Sequence, residues 1–351
     1  MEHITLDLLD SDDCARWDSV FVRHGGLPSW IYSTDIIKYY YASGNIDIKL
    51  WLLSESGVDI SACMLATPRD SSGIHQISQH MGVPYPFIFA TDIRRRRKGI
   101  AHSFDFLRDK ISYGDMIYLT DFGQNINNYE ETRWKILDYT SNYYVNRVML
   151  VDLRHSVDEL EARLHKYMKR NIKRTYKDPS MSVTHVDHRN SIGNIHDAVD
   201  VARNLHFKAA GRVTRPIETW EQIEVIIKNN RGSLTLLKYK GEAISYLIAF
   251  SQGDRFAVGA SQANLEGFLH LNPRHRLEWE VILYYKSRGF ISYEIGQRYV
   301  ISHPLREYSE KEIEMTKFKE RLGGYIAPRV HGYLSHDENV LRNMWDVSRI
   351  R

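Results

Sequence analysis

The spacing of apolar residues along the chain predicts a succession of helices and strands. Apolar side chains three and four residues apart are typical of a helix with one buried face, whereas short runs rich in β-branched and aromatic residues are typical of strands. In the first half of the chain these patterns predict helices at 11–23, 98–111 and 130–139, a polar stretch at 121–128, and strands at 49–53, 58–66, 115–119 and 144–153.

The clearest helix start in the sequence lies at Ser156. Ser156 and Glu159 have the spacing of a capping box, and the acidic residues of the first turn complement the helix dipole. Asp178-Pro179 is a strong stop signal, so the pattern predicts one helix from Ser156 to that point. Its buried stripe is expected to consist of apolar residues at helical spacing, namely Val157, Leu160, Leu164, Met168 and Ile172.

The second half of the chain continues the alternation. Helices are predicted at 195–208, 218–230, 274–288 and 310–321, and strands at 233–239, 243–251, 255–260 and 291–295. Up to the last helix the order from residue 195 is α-α-β-β-β-α-β. An antiparallel meander followed by one right-handed β-α-β crossover describes a mixed sheet covered by helices, so the predicted class is α/β with a mixed sheet.

Length and composition favour a protein with two domains. The chain has 351 residues, of which 43% are hydrophobic and 26% charged, and we predict domains at 1–153 and 154–351. No apolar run approaches the roughly 18 residues of a membrane span, and no signal-peptide pattern opens the chain, which favours the cytoplasm. The two cysteines, Cys14 and Cys63, lack metal-site or paired spacing and are expected to be reduced and structural.

Several common chemistries are not indicated by the sequence. It contains no HExxH, CxxC or P-loop pattern. The segment His185-Val-Asp-His188 brings two imidazoles and a carboxylate together, but we expect no metal site there. Gly259-Ala-Ser-Gln-Ala263 only loosely resembles a nucleophile elbow and leads into a loop, so covalent serine or cysteine catalysis is not expected.

Five segments, of which 149–153 and 156–174 together count as one, resemble those of FemAB-like acyltransferases and occur in the same order. The most specific pair is GFISYEIG at 289–296 followed by EKEIEMTKFKERLGG at 310–324. The resemblance covers 149–325 well and the first half in outline. It implies two GNAT-like domains, each a mixed, mostly antiparallel sheet flanked by helices, and amide-bond formation by acyl transfer. The other segments are 149–153, 156–174, 206–220 and the Pro273 helix start with Arg276-Leu277-Glu278-Trp279.

The resemblance also implies candidate catalytic residues. Lys319 matches the lysine of the family's FK pair, which is implied to steady the tetrahedral intermediate, and Phe318 is expected to pack under the site. Glu294, Gln297 and Arg298 follow the crossover strand, where open α/β sheets place ligands. Glu294 is a candidate to accept a proton from the attacking amine or to bind an acceptor hydroxyl. The chain departs from the family pattern in having Glu294 for aspartate and Gln297 for a glycine.

Further arginines are candidates for substrate binding. Arg212 and Arg215 lie in a predicted loop between helices, where planar guanidinium groups can clamp a carboxylate or phosphate. Arg276, at the start of the predicted crossover helix, is a third candidate. A solvated surface role explains the loop arginines equally well.

Two donors remain open, and neither is a tightly bound cofactor. Acyl-CoA is suggested because Arg96, Gly99 and Ala101 fit the R/Q-x-x-G-x-G/A pyrophosphate loop of GNAT enzymes. Aminoacyl-tRNA is the donor that the FemAB resemblance implies. A net charge of +3 does not itself indicate RNA binding, but basic residues are concentrated at 165–177. The tRNA-binding candidates within that run are Lys169, Arg170 and Lys173.

The sequence thus supports two hypotheses. The first is an N-acyltransferase that joins an acyl or aminoacyl group to the amine of an amino sugar, a cell-wall precursor peptide or another small metabolite, with a place in cell-envelope biosynthesis. The second is a GNAT-fold protein without catalysis that binds a nucleotide-linked sugar or RNA. The sequence does not indicate an oligomeric state.

Overall fold

The computed structural model describes most of the chain, and its first elements are built on an antiparallel sheet. The described residues are 2–24, 30–44, 46–68, 76–77, 83–84, 86–89, 92–110, 116–120, 142–252, 255–298 and 308–336. The helix predicted at 130–139 and the polar stretch at 121–128 lie outside them. The first elements are β1 (Glu2–Leu6), α1 (Ser11–Arg23), a 3₁₀ turn (Trp30–Tyr32), α2 (Thr34–Ser43), β2 (Ile46–Glu55), β3 (Val58–Pro68), β4 (Gln76–Ile77), β5 (Val83–Pro84), β6 (Phe87–Ile88), α3 (Ile93–Asp109) and β7 (Met116–Thr120).

The first sheet has the strand order β1-β2-β3-β6, and every neighbouring pair is antiparallel. A two-residue turn, Ser56-Gly57, joins β2 to β3, and both residues have positive φ. That geometry is the type I′ turn, whose twist matches the twist of the flanking strands. Gly99 of α3 lies close to this sheet, where a Cβ would stand 2.9 Å from the Ile60 side chain.

A second, larger sheet carries the later elements. These elements are β8 (Asn142–Asp152), α4 (Val157–Arg163), α5 (Lys166–Tyr176), β9 (Met181–Val186), α6 (Ile192–Ala210), α7 (Ile217–Lys228), β10 (Gly232–Tyr239), β11 (Glu242–Gln252), β12 (Phe256–Asn264), a 3₁₀ turn (Glu266–Leu271), α8 (Pro273–Ser287), β13 (Ser292–Arg298), α9 (Glu310–Glu320) and β14 (Tyr325–Ser335).

Strands β9 to β13 and β8 lie in the order β9-β10-β11-β12-β13-β8. All neighbours are antiparallel except β12 and β13, which are parallel and joined by the crossover helix α8. The predicted order α-α-β-β-β-α-β corresponds to α6 through β13, so the meander and its single crossover are confirmed. Leu277, Val281 and Ile282 of α8 are almost completely buried and belong to the core cluster of this sheet.

The helix predicted from Ser156 to Asp178-Pro179 is in fact two helices. The capping box begins α4 as predicted, with the Ser156 amide donating to Glu159 Oε2 at 2.7 Å. Leu164 then has an extended backbone, and His165 caps α5 by accepting from the Tyr167 amide through Nδ1. The prediction failed because apolar spacing continues unbroken across the two helices. Val157, expected in the buried stripe, is 44% exposed.

Two glycines of the C-terminal motif approach the end of α4 and the strand β8 closely. A Cβ on Gly323 would stand 2.6 Å from the Arg163 carbonyl oxygen, and one on Gly324 would stand 2.6 Å from the carbonyl oxygen of Leu150. The His165 amide also donates to the Arg321 carbonyl oxygen at 3.0 Å. The turn after α9 therefore packs against the end of α4, and a residue with a side chain does not fit at either glycine.

By packing, the chain divides into two units. One contains the described residues before Arg147 and those from Pro328 onward, where β14 pairs with β7 in antiparallel register. The other contains the residues from Arg147 to 298 together with Tyr308–Ala327. The domain limits 1–153 and 154–351 stay a prediction. In the described part of the chain no helix is long and apolar enough to cross a membrane, and Cys14 and Cys63 are free and buried.

Candidate active site

Helix α9 brings a lysine into the interior of the second unit. A capping box begins the helix, with the Ser309 amide donating to Glu312 Oε2 at 2.9 Å and the Glu312 amide donating to Ser309 Oγ at 3.3 Å. Two helical turns further on, Thr316 and Lys319 are buried, whereas the intervening Lys317 is exposed. The N-terminal cap therefore determines where the helix that carries Lys319 begins.

Lys319 is a buried ammonium with a defined acceptor. Its side chain belongs to a residue only 8% exposed, and Nζ donates a hydrogen bond to the Gln297 carbonyl oxygen at 2.7 Å. Burial, and secondarily the charge of Arg274, lowers the Lys319 pKa from 10.5 to about 8, against the opposing charges of Glu278 and Glu294.

The lysine reaches the sheet where two parallel strands separate. Strands β12 and β13 are paired only over three residues each, ending at Val258 and Glu294. Both strands continue beyond this point, β12 to Asn264 and β13 to Arg298. The sheet thus opens between them at Glu294, which is 2% exposed and interacts electrostatically with Lys319. This places Glu294, Gln297 and Lys319 together, and their roles in catalysis and binding stay predictions.

Gly296 allows Lys319 to approach the strand. Its φ is +119°, in the region that favours glycine, and a Cβ built on it would lie 3.2 Å from Lys319 Nζ. The register of β13 against β8 shifts between Glu294 and Gly296, which is a β-bulge. Bulges of this kind re-aim side chains next to functional sites. A larger residue at 296 would strain the backbone and displace the ammonium.

Glu278 and Tyr293 form a second pair beside the lysine. Glu278, on α8, is 4% exposed, and the Tyr293 hydroxyl donates to its Oε2 at 3.2 Å. Burial raises the pKa of the Glu278 carboxyl, although Arg274, Tyr293 and Lys319 oppose the shift. Gly259 of β12 makes room for the tyrosine, since a Cβ there would lie 2.9 Å from the hydroxyl oxygen. A buried carboxyl with a raised pKa holds its proton more readily than an exposed one.

Arg274 and Phe318 cover one side of this cluster. The Arg274 guanidinium carbon lies 4.0 Å from the centre of the Phe318 ring, and the ring also contacts His275 edge-on at 5.2 Å. Phe318 packs against the core cluster of the unit, and its place under the site stays a prediction. Burial lowers the pKa of His275 to about 4, and this imidazole is neutral at physiological pH.

The other predicted substrate-binding arginines are distributed over different surroundings. Arg215 donates to Ser261 Oγ at 3.0 Å, whereas Arg212 is exposed beside it in the loop between α6 and α7. Arg298 pairs with Glu320 at 2.6 Å. Arg276 belongs to another cluster, where it pairs with Glu280 at 2.7 Å and lies over the Tyr176 ring. These contacts give Arg276 and Arg298 structural partners, and their roles in binding stay predictions.

The proposed CoA loop has a different local structure from the one expected. Arg96, Gly99 and Ala101 all lie inside α3 and not in a loop before it. The Asp92 side chain accepts from the amides of Arg94 and Arg95, so the helix start already binds a carboxylate of its own. The burial of Gly99 against the first sheet explains that glycine by packing. The role of these residues in donor binding stays a prediction.

The basic residues proposed to contact tRNA lie on α5. Lys169 and Lys173 both place Nζ 3.1 Å from Glu161 Oε1, and Arg170 lies over the Tyr167 ring. The lysine side chains are 38% and 61% exposed, respectively, so solvent screens these ion pairs and leaves the face accessible. Their contact with RNA also stays a prediction.

The segment 185–188 has structural partners for two of its polar residues. Asp187 accepts from Arg189, Arg288 and Tyr284. Burial opposes the charged form, but the hydrogen bonds from Arg189 and Tyr284 hold the pKa of Asp187 well below its ordinary value. The His185 ring stacks on that of Tyr284. Among the residues that the structure describes, no group of three histidines, cysteines or carboxylates is arranged to hold a metal ion.

Sequence reasoning missed Arg274, Glu278 and Tyr293. A signal was present for the first two, because residues four apart on a helix lie on one face and Arg274 and Glu278 have this spacing on α8. Tyr293 alternates with Glu294 on β13 and belongs to a strand that the sequence predicted. What the sequence lacked was the packing of α9 against β13, which brings Lys319 beside all three.

Comparisons with known proteins agree with this architecture. No protein-family model and no curated protein sequence matches the chain. Among solved structures, FemX has a TM-score of 0.64 and 11% identity, over 98% of this chain and 100% of its own. L-PGS from Bacillus licheniformis has a TM-score of 0.59 and 10% identity, over 98% and 97%.

A tandem GNAT protein from the clavulanic acid biosynthesis pathway is also similar, with a TM-score of 0.51 and 13% identity, over 95% of this chain and 97% of its own. At these identities the likeness concerns the fold. The mixed second sheet, the crossover helix α8 and these neighbours together confirm the resemblance in fold. The chain has a FemAB-like, GNAT-type fold with two GNAT-like domains.

Proposed function

We propose that this protein is an N-acyltransferase that forms an amide bond, with Lys319 as the donor that stabilises the oxyanion. The observation that carries the proposal is the buried Lys319 ammonium, held by Gln297 at the opening between β12 and β13. Burying a lysine costs free energy, because its charge is removed from water. A buried lysine beside an opening in the sheet is therefore a candidate for a functional role. The FemX-like fold supports the same reaction class.

The reaction requires charge stabilisation at one oxygen. The amine nitrogen attacks the acyl carbon, a C–N bond forms, and the carbonyl electrons move onto oxygen. The Lys319 ammonium then donates a hydrogen bond to this oxyanion in a site of low polarity, where such a bond is strongest. Collapse of the intermediate breaks the bond to the leaving group, a thiolate for an acyl thioester or a ribose oxygen for an aminoacyl ester. The amine loses one proton and the leaving group gains one.

Two carboxylates are suited to handle the amine and its proton. Glu294 lies next to the ammonium of Lys319 on the strand that opens the site and is our candidate to accept that proton or bind an acceptor hydroxyl. Glu278, with a raised pKa and the Tyr293 hydroxyl as partner, is a second candidate for the proton. The arrangement gives the site one positive group for the oxyanion and negative groups for the amine.

Two classes of donor fit this chemistry, and both are part of the proposal. An acyl-CoA would engage the basic start of α3 around Arg96, and an aminoacyl-tRNA would engage the exposed face of α5 around Lys169. The acceptor amine belongs to an amino sugar, a cell-wall precursor peptide or a small metabolite, and we place the reaction in the cytoplasm with a role in the cell envelope.

The test is consumption of donor that depends on an added amine. The purified protein is incubated with acetyl-CoA, or with a mixture of aminoacyl-tRNAs, together with a panel of amino sugars, amino acids and short peptides, and amide products are detected by mass spectrometry. An acyltransferase forms an amide with one donor class only when the matching amine is present. A protein that is thermally stabilised by a donor but never consumes it would be the binding module instead.

A further inference from the structure

A cavity of about 650 Å³ opens beside the Lys319 cluster, within the second unit. It lies between the end of α6, the strand β12, the start of α8 and the exposed side of α9. Its apolar lining includes Ala210 and Met315. Its polar lining includes Gln262, two cations and one carboxylate, namely Arg274, Lys311 and Glu314, of which Glu314 pairs with Lys317 outside the cavity lining. Arg274 thus lies both in this cavity and among the charges that surround Lys319.

Two buried donors in this cavity lack an acceptor. Arg274 Nε and Gln262 Nε2 are both inaccessible to solvent, and neither makes a hydrogen bond within the described structure. Buried polar atoms in folded proteins nearly always have partners, so each exception calls for an explanation. Two such donors lining one cavity are explained together if a ligand supplies the acceptor oxygens.

Arg274 also differs from the other arginines of its helix. Arg276 pairs with Glu280 and Arg288 pairs with Asp187, both through carboxylates at hydrogen-bonding distance. Arg274 makes no ion pair with any residue in the described part of the chain. The Phe318 ring covers one face of its guanidinium at 4.0 Å, which leaves the in-plane N–H groups to a ligand. A planar guanidinium fits a carboxylate through two such groups.

We propose that Arg274 and Gln262 bind a carboxylate of the amine acceptor, so that the substrate is an amino acid or a peptide with a free carboxylate. This inference rests on the proposed acyl transfer and names its substrate class. It also gives Arg274 a place in the reaction. The charge of Arg274 lowers the pKa of Lys319, whereas Glu278 and Glu294 raise it. A bound carboxylate offsets the Arg274 charge and keeps Lys319 protonated.

The experiment observes Arg274 directly and needs no donor. The full-length protein is labelled with ¹⁵N-arginine, and the Nε–H resonance of Arg274 is assigned by its loss in Arg274→Lys. L-alanine, propionate, L-alaninamide and inorganic phosphate are titrated separately. We expect saturable shifts of this resonance with L-alanine and propionate, and none with L-alaninamide, which has the amine but lacks the carboxylate.

Two variants distinguish binding in the cavity from general effects of a substitution on the protein. Gln262→Met removes the second donor and is expected to raise the half-saturating concentration of L-alanine roughly tenfold. Arg203→Gln is the matched control, because Arg203 is a half-buried arginine of α6 that pairs with Asp200. This variant should leave the half-saturating concentration of L-alanine unchanged. Both are compared at equal folded fraction by circular dichroism.

The inference is overturned by an unchanged Arg274 resonance, by equal shifts with L-alanine and L-alaninamide, or by a response to inorganic phosphate alone. The last result would make this a phosphate site. Because no step of this experiment involves acyl transfer, a failure here leaves the amide-forming activity to its own assay. Conversely, an enzyme that acylates only amines without a carboxylate would support the amide-forming activity and contradict the carboxylate site.

Discussion

At the residue scale, the stability of the protein is coupled to the proton on Lys319. Burial lowers the Lys319 pKa to about 8 in the folded protein, whereas an unfolded lysine titrates near 10.5. Below pH 8 both states carry the proton, and the full cost of burying the charge opposes folding. Between these two pKa values the unfolded chain binds more protons, so the free energy of unfolding rises with pH through this window.

This coupling gives a prediction for Lys319→Met. The variant lacks the titrating group, so the stability of the wild-type protein relative to the variant should increase as the pH rises from 8 to about 10.5. Urea unfolding of both proteins at several pH values measures it. A stability difference independent of pH over that window would show that Lys319 has an ordinary pKa and is not buried as described.

The second prediction concerns Gly296. An alanine there must adopt φ near +119° and places its Cβ 3.2 Å from Lys319 Nζ. We expect Gly296→Ala to lower the free energy of unfolding by about 1–3 kcal/mol, because non-glycine residues are strained in that region. Any transfer activity should fall with it, since the ammonium is displaced. Chemical denaturation and the donor-consumption assay measure the two effects.

Gly193→Ala is the matched control for this change. Gly193 lies in the first turn of α6, has open space around it, and has no positive φ. The substitution should leave stability unchanged or raise it by up to about 1 kcal/mol, because alanine favours a helix over glycine. Equal losses in both variants would mean that Gly296 has no special conformation.

Candidate site residues were predictable where they belong to a segment that resembles a known family. Lys319 and Glu294 were candidates because of the resemblance to FemAB-like segments, and the structure brings them together, while their roles stay predictions. Arg274 and Tyr293 were not identified, because their importance depends on contacts made by α8 and α9 after folding. Sequence spacing shows which residues share a helix face, but it does not show which other element covers that face.

At the element scale, α9 depends on its N-terminal cap. Ser309 and Glu312 satisfy each other's backbone amides at the start of this short helix. Ser309→Ala should therefore cost about 1 kcal/mol of stability, in the range measured for lost N-caps. Because Lys319 is on the last turns of the same helix, we expect hydrogen exchange of the α9 amides to accelerate more than that of α8. Unchanged protection of α9 would contradict the role of this cap.

Element boundaries show how far local patterns reach. The Ser156 cap was predicted from its residues alone, and α6 to β13 follow the predicted order. The break at Leu164 was not predictable from local spacing, because the turn that packs against the end of α4 follows α9, more than 150 residues away. Strand β9 was not predicted, although Met181, Val183 and His185 alternate with polar residues as expected for a strand.

At the scale of the whole molecule, the donor class determines how binding of the donor depends on salt and on which basic residues. Acetyl-CoA and aminoacyl-tRNA should differ in salt dependence, because RNA binding releases counterions from many phosphates. If tRNA is the donor, its stabilisation of the protein should fall steeply with salt and be lost when Lys169, Arg170 and Lys173 are neutralised. Thermal melting at low and moderate salt measures both.

A CoA donor predicts the opposite pattern. Stabilisation by acetyl-CoA should change less with salt and should be sensitive to Arg96→Gln on α3. Gly99→Glu is a poorer test, because Gly99 packs against Ile60 and its substitution would disturb the first sheet. A melting temperature that no donor shifts at any salt concentration would count against both donor assignments.

The most direct measurement of the account is the rate of amide formation by Lys319→Met, compared with Lys317→Met as the control from the exposed side of the same helix. If Lys319 stabilises the oxyanion, its loss should lower kcat by about 10²–10³-fold while donor affinity changes only a few fold. Lys317→Met should retain the wild-type rate. A Lys319→Met protein that is folded and transfers acyl groups at the wild-type rate would contradict the central claim.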